Sequence, residues 1–132
     1  ICSRALSQNL SGCGRVIVMA ATLGPSLDRA IQRYQYSDTA YAVILHAAGA
    51  AAIETYLDDV SAGIISGLDE QEIRLRPRFS PGYGDLDISV NDDIIKDLDA
   101  SKHAGIFATD THLLSPSISV TAFAGIFKEE EL

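Results

Sequence analysis

The stretch Arg78-Phe79-Ser80-Pro81-Gly82-Tyr83 concentrates more usable chemistry than any other six residues of the chain. A guanidinium presents a fixed fork of N–H donors that matches a carboxylate. Pro81 sets φ and Gly82 permits positive φ, so the backbone is expected to bend there and bare its amides and carbonyls. Tyr83 adds an aromatic face close by. Together these groups suit a zwitterionic small molecule, with a carboxylate on Arg78, polar heterocycle edges on the bend and a cationic or planar part against Tyr83. Taken alone, the same residues also read as an ordinary strand-to-loop turn.

Other reaction classes lack their residues. The Gly-x-Ser-x-Gly elbow of serine hydrolases is missing, and Ser80-Pro81-Gly82 has the wrong spacing for it. No Gly-x-Gly-x-x-Gly occurs, and no Gly-Lys-Ser or Gly-Lys-Thr closes a phosphate loop. His46, His103 and His112 include no i, i+4 pair, so no metal site is expected. Cys2 and Cys13 fit neither a disulfide framework nor zinc pairs, which points to a reducing, cytoplasmic setting. No catalytic residue stands out; the chemistry on offer is binding.

The elements that position the hexapeptide follow from hydrophobic patterning. Val16 to Ala21 is a continuous apolar run between glycines, expected as a central strand buried on both faces. Pro25 opens a short helix to about Tyr34. Ser37 offers a hydroxyl cap to a long helix from Asp38 to about Asp59, whose run of alanines around Gly49 allows close approach and marks it as the core helix. From Ile73 to Phe79 the period becomes two, with Ile73, Leu75 and Phe79 on one face and Arg74, Arg76 and Arg78 in a row on the other. That row is either a candidate anion site or an ordinary solvated strand face. Asn91 is expected to cap a helix to Leu98, and a last alternating strand runs from about Ile118 to Phe127. The tail from Lys128 to Leu132 is expected to fray. The pattern as a whole is α+β, a twisted, mainly antiparallel sheet packed with helices.

The whole-chain numbers agree with one domain. Of 132 residues, 47% are hydrophobic and 21% charged. Eighteen acidic against 10 basic residues give a net charge of −8, which argues against nucleic acid as a partner. The longest uncharged run in the middle, Thr39 to Ile53, falls short of the roughly 20 residues of a bilayer crossing, so no membrane span is expected. The first residue is isoleucine and the only methionine is Met19, so residues 1–132 are expected to be a single-domain fragment lacking an N-terminal portion.

Three segments in order carry a family resemblance: Arg78 to Tyr83, then Lys102-His103-Ala104-Gly105, then Leu114-Ser115-Pro116-Ser117-Ile118-Ser119-Val120-Thr121. They resemble the activation domain of cobalamin-dependent methionine synthase, where an arginine, Pro-Gly-Tyr, Lys-His-x-Gly and Ser-Val-Thr recur in this order. Met19-Ala20-Ala21-Thr22-Leu23-Gly24 and the alanine-rich helix ending near Glu54 look like the short, stand-alone bacterial relatives. The resemblance spans roughly Arg15 to Phe127. The chain departs from the family pattern at Phe79 and at Gly84-Asp85.

The resemblance implies an α+β domain that binds S-adenosylmethionine and docks on a cobalamin-binding domain of a methyltransferase. There, cobalamin oxidised to the inactive cob(II) form is restored by one electron from a flavodoxin-type donor and a methyl group from S-adenosylmethionine. Carried over by residue, Arg78 would hold the methionine carboxylate, Ser80 would offer backbone groups, Pro81 and Gly82 would shape the bend and Tyr83 would pack beside the ligand. Glu54 and Glu72 would face the cobalamin side. With a net charge of −8, an encounter with an acidic flavodoxin must rely on a local basic patch, for which Arg74 and Arg76 are the candidates. The alternatives are a non-catalytic docking module for a corrinoid protein that has lost S-adenosylmethionine binding, and an unrelated small-molecule sensor built on the same arginine and turn.

Overall fold

The computed structural model describes residues 1–129 and shows an α+β fold with an antiparallel sheet. In chain order the elements are α1 (Arg4–Asn9), β1 (Arg15–Thr22), α2 (Pro25–Tyr34), α3 (Thr39–Leu68), β2 (Ile73–Leu75), α4 (Val90–Leu98), α5 (Ala100–Ala104), β3 (Phe107–Ala108), β4 (Leu114–Ser115) and β5 (Ser119–Lys128). The main sheet has the order β1-β5-β2, and β3 and β4 form a separate two-stranded ribbon.

The central strand is therefore β5, not the Val16–Ala21 run. β1 pairs with β5 along its whole length, Arg15 opposite Ile126 to Thr22 opposite Ser119, and β5 takes β2 on its other side. Val16 and Val18 are exposed in consequence. A continuous apolar run marks a strand but not its place in the sheet, and β1 is not buried on both faces as expected.

Side chains alternate across the sheet with the period of two. Met19, Ala21 and Val120 meet Leu27, Ile53 and Leu57, which places α2 and α3 against one face. Phe123 meets Leu6, Phe79, Leu86, Val90 and Ile94, which places α1 and α4 against the other. Ile95, Ala100 and Ile106 extend that second layer over Ala20. Gly49 of α3 has the Leu27 side chain where a Cβ would stand, 2.6 Å away, so α2 and α3 approach closely there.

Helix α3 starts one residue later than expected and ends nine residues later. Asp38, not Ser37, is its cap, accepting from the Tyr41 amide at 3.1 Å, while the Ser37 hydroxyl donates back to Arg33. Its length and a mean hydropathy of 1.3 would suffice for a membrane crossing. Only 22% of that apolar stretch is buried, so the expected core helix is one by a single stripe: Ile53 and Leu57 pack on the sheet, each about 1.5–3 kcal/mol of burial, while Val43, Ile44 and Val60 are exposed.

The expected strand Ile73–Phe79 is cut short. β2 stops at Leu75, and Phe79 returns only as an isolated bridge to Phe123. Pro77 has no amide to give the ladder, which explains the break. At α4 the cap position belongs to Ser89, and Asn91 lies inside the first turn. The Asn91 side chain is buried instead, donating to the His112 carbonyl at 2.8 Å and accepting from the Thr121 hydroxyl at 2.6 Å. Of the tail expected to fray, Lys128 pairs with Ile73 and the Glu129 amide donates to Glu72; Glu130, Glu131 and Leu132 lie outside the described residues.

Asp85, at the end of the Ser80–Asp85 turn, holds the start of α1. It accepts from the Arg4 amide at 2.8 Å, the Ala5 amide at 3.1 Å and the Ser3 hydroxyl. The Ser3 hydroxyl bond, then the two amides, hold the Asp85 carboxyl below its usual range. A carboxyl lowered in the folded chain contributes stability above its unfolded pKa and loses it as the pH falls through the folded value. Below about pH 4 the α1 amides should therefore lose hydrogen-exchange protection, corrected for intrinsic rates, before the amides of β5 do. Equal loss in both elements would show that Asp85 does not pin the helix.

Candidate functional site

The site is built from one stripe of α3 and the link that follows β2. Glu54, Asp58 and Ser61 stand at i, i+4 and i+7, so the three project from one side of the helix. Across from them the chain leaves β2 at Leu75 and rejoins the sheet at Phe79, whose amide and carbonyl exchange bonds with Phe123 at 2.9 and 2.8 Å. Arg78, in the link between, turns toward α3. Its Nη2 donates to Glu54 Oε2 at 2.6 Å and its Nη1 to Asp58 Oδ1 at 2.8 Å.

The expected row of arginines is thus divided among three surroundings. Arg74 pairs with Glu129 at 3.3 Å. The Arg76 guanidinium donates to the Ser11 carbonyl at 2.9 Å and lies over the Phe127 ring, 4.3 Å from its centre. Only Arg78 reaches α3. Pro77 breaks the alternation that would have kept the row on one side.

The Arg78 side chain is 19% exposed, against 56% for Glu54 and 71% for Asp58. Burial works against the guanidinium charge, but the hydrogen bonds and charges of Glu54 and Asp58 outweigh it and raise the Arg78 pKa above its ordinary value. The arginine stays charged at any physiological pH, and the three groups together carry a net charge of about −1.

Hollows open on both sides of this cluster. One of about 510 Å³ lies between α3 and the sheet, lined by Glu54, Asp58, Ser61, Leu75 and Ala124 and by both Arg76 and Arg78, so two of the three arginines border the same space. A second, about 360 Å³, is bordered by Ser80, Pro81, Ile88, Asn91, Leu113 and Thr121. A smaller one of about 200 Å³ shares Glu54 with the first and Ser117, Ser119 and Val120 with the second. The first and second share no lining residue; both lie beside the N-terminal half of β5, and each is in the size range of small-molecule sites.

β2 does not continue beside this half of β5. Ladder bonds on that side fall on odd-numbered residues, as at Phe123 and Gly125, so the next backbone groups in register belong to Thr121 and Ser119. These face the second hollow, where Ser80 and Pro81 bend away.

The expected site residues are brought together only in part. Glu54 and Arg78 touch, and Ser80 and Pro81 line the second hollow. Gly82 shapes the bend: its φ is 89°, its amide donates to the Leu86 carbonyl at 2.8 Å, and a Cβ there would stand 2.8 Å from Ile88 Cδ1. Tyr83 is 70% exposed and borders none of the three hollows. Its ring sits edge-on to Phe79, 5.4 Å between centres, because the turn carries it past the hollows. Glu72 is not beside Glu54. It precedes β2, with all of that strand between it and Arg78, and its carbonyl accepts from Glu129. Ser117, Ser119, Val120 and Thr121 border the second hollow, whereas Lys102 and His103 lie in the last turn of α5 and do not. Asp58 and Ser61 complete the site without having been singled out; their spacing from Glu54 was the available signal.

No protein-family model matches the chain, and no curated protein matches it.

Proposed function

We propose that the chain is an S-adenosylmethionine-binding domain that supports reductive reactivation of cobalamin held by a partner domain of a methyltransferase such as methionine synthase. The observation that carries the reading is the ion cluster of Arg78, Glu54 and Asp58 in one hollow, with Ser80-Pro81 lining a second hollow nearby. S-adenosylmethionine has one carboxylate and two cationic centres, the ammonium and the sulfonium, and the hollow offers groups of both signs to meet them, Arg76 and Arg78 against Glu54 and Asp58.

Binding exchanges partners. The ligand carboxylate takes donors from Arg78, and the carboxylates of Glu54 and Asp58 turn to the ligand's cationic groups. A simple carboxylate brings no cation to replace the arginine and is disfavoured, which gives the site its selectivity. The nucleoside then lies along Ser117–Thr121, with the free backbone edge of β5 and the Ser80-Pro81 bend to meet its polar edges. S-adenosylmethionine supplies the methyl group for the cobalamin of the partner domain; the chain's own residues contribute grip, orientation and shelter from water. Arg74, the more open of the two arginines offered for a flavodoxin-type electron donor, retains that role, while Arg76 is engaged with Ser11 and Phe127. Two free cysteines accord with a reducing cytoplasm.

Two observations favour the second reading, a corrinoid-protein docking module without ligand. Arg78 already has two carboxylate partners, and Tyr83 borders none of the hollows. Calorimetric titration of the 132-residue chain with S-adenosylmethionine separates the two. Saturable heat at micromolar to millimolar ligand is expected. No heat, together with capture of a cobalamin-binding domain, would leave the docking module; no heat and no capture would remove both.

A further inference from the structure

A serine inside a helix ordinarily turns its hydroxyl back to the carbonyl one turn earlier. Thr55 of this helix behaves so, donating to Ala51 at 3.2 Å. Ser61 does not. It is only 6% exposed, and its Oγ has no hydrogen-bond partner among the described residues. A buried hydroxyl left unpaired costs free energy, and such groups are rare in folded proteins. This one borders the hollow that also holds Glu54, Asp58 and Arg78, and it stands on the same side of α3 as the two carboxylates.

We infer that Ser61 is a specificity-determining residue of the ligand site, its hydroxyl donating to the carboxylate of an α-amino-acid head that Arg78 also holds. The inference rests on the S-adenosylmethionine reading and sharpens it: the hollow selects ligands that keep the whole amino-acid group. Arginine alone attracts any anion. A hydroxyl in the same hollow adds a second donor, and a site built to bond a polar group discriminates most strongly against ligands that lack it.

The test compares S-adenosylmethionine with its decarboxylated analogue on the wild-type chain and on Ser61→Ala. The substitution removes a hydroxyl without a partner among the described residues, so the thermal midpoint without ligand should stay level or rise. The dissociation constant for S-adenosylmethionine should rise roughly tenfold, as for a hydrogen bond to a charged group. The decarboxylated analogue should bind both chains alike. Equal affinity of the two chains for S-adenosylmethionine would overturn the inference and leave the ligand reading intact. So would a lowered midpoint with the same loss for both ligands, since Ser61 would then act on the fold. No binding of S-adenosylmethionine to the wild type would overturn the reading and the inference together.

Discussion

Arg78→Ala should weaken S-adenosylmethionine binding by about tenfold to a hundredfold, the worth of about 1.5–3 kcal/mol for a charge-assisted bond to a carboxylate. Its effect on folding should be far smaller. The carboxylates that Arg78 now holds are 56% and 71% exposed, so water replaces the guanidinium around them at about 1 kcal/mol or less. The two measurements, ligand affinity and urea midpoint, therefore separate. Arg78→Lys should recover little of the lost affinity, because an ammonium lacks the planar fork that holds two acceptors at once. A ligand without a carboxylate should bind Arg78→Ala no worse than wild type, since Glu54 and Asp58 remain to meet its cations. Unchanged affinity for S-adenosylmethionine would reduce Arg78 to a tie between α3 and the sheet.

The largest loss of stability is expected from Leu57→Ala. Leu57 is 2% exposed and packs with Ile53, Ala21 and Ile118 where α3 crosses the sheet. Truncation removes its burial and leaves a void, about 2–5 kcal/mol in well-packed cores. Val43→Ala on the outward side of the same helix, where the side chain is 63% exposed, should change stability by about 0.5 kcal/mol or less. Urea unfolding of both variants checks the contrast; equal midpoints would mean that α3 is not anchored as described. Leu57 directly precedes Asp58 and follows Glu54 by three residues, so the same anchor sets where the acidic stripe stands. Leu57→Ala should also weaken ligand binding at temperatures where the variant is still folded.

What the sequence made legible was local. The apolar run in β1, the proline that opens α2 and the alternation in β5 all follow from short-range patterning, and each element forms where that patterning puts it. Position within the sheet was not legible. Val16 to Ala21 looks buried on both faces, yet whether a strand is central depends on how many others pair, and β5 holds both partners. The end of α3 was not legible: it was expected near Asp59, whereas the helix continues through Gly63 and Gly67 to Leu68. Asn91 looked like a cap because of its type, whereas its amide satisfies a buried hydroxyl and a carbonyl from distant loops. In the site, Arg78 and the Ser80-Pro81 bend were readable. The partners of Arg78 were not, because their distance in sequence hides a contact made only when β2 lies beside α3.

The turn from Ser80 to Asp85 has two neighbours. Its front borders the second hollow, and its rear carboxylate grips the first helix of the chain. Damage at Asp85 should thus be felt as a slackened rim as well as a loosened helix, and a survey scoring fold alone would file that residue as scaffold. The rim and the amino-terminal helix share one mechanical support, so a change that frees either disturbs both.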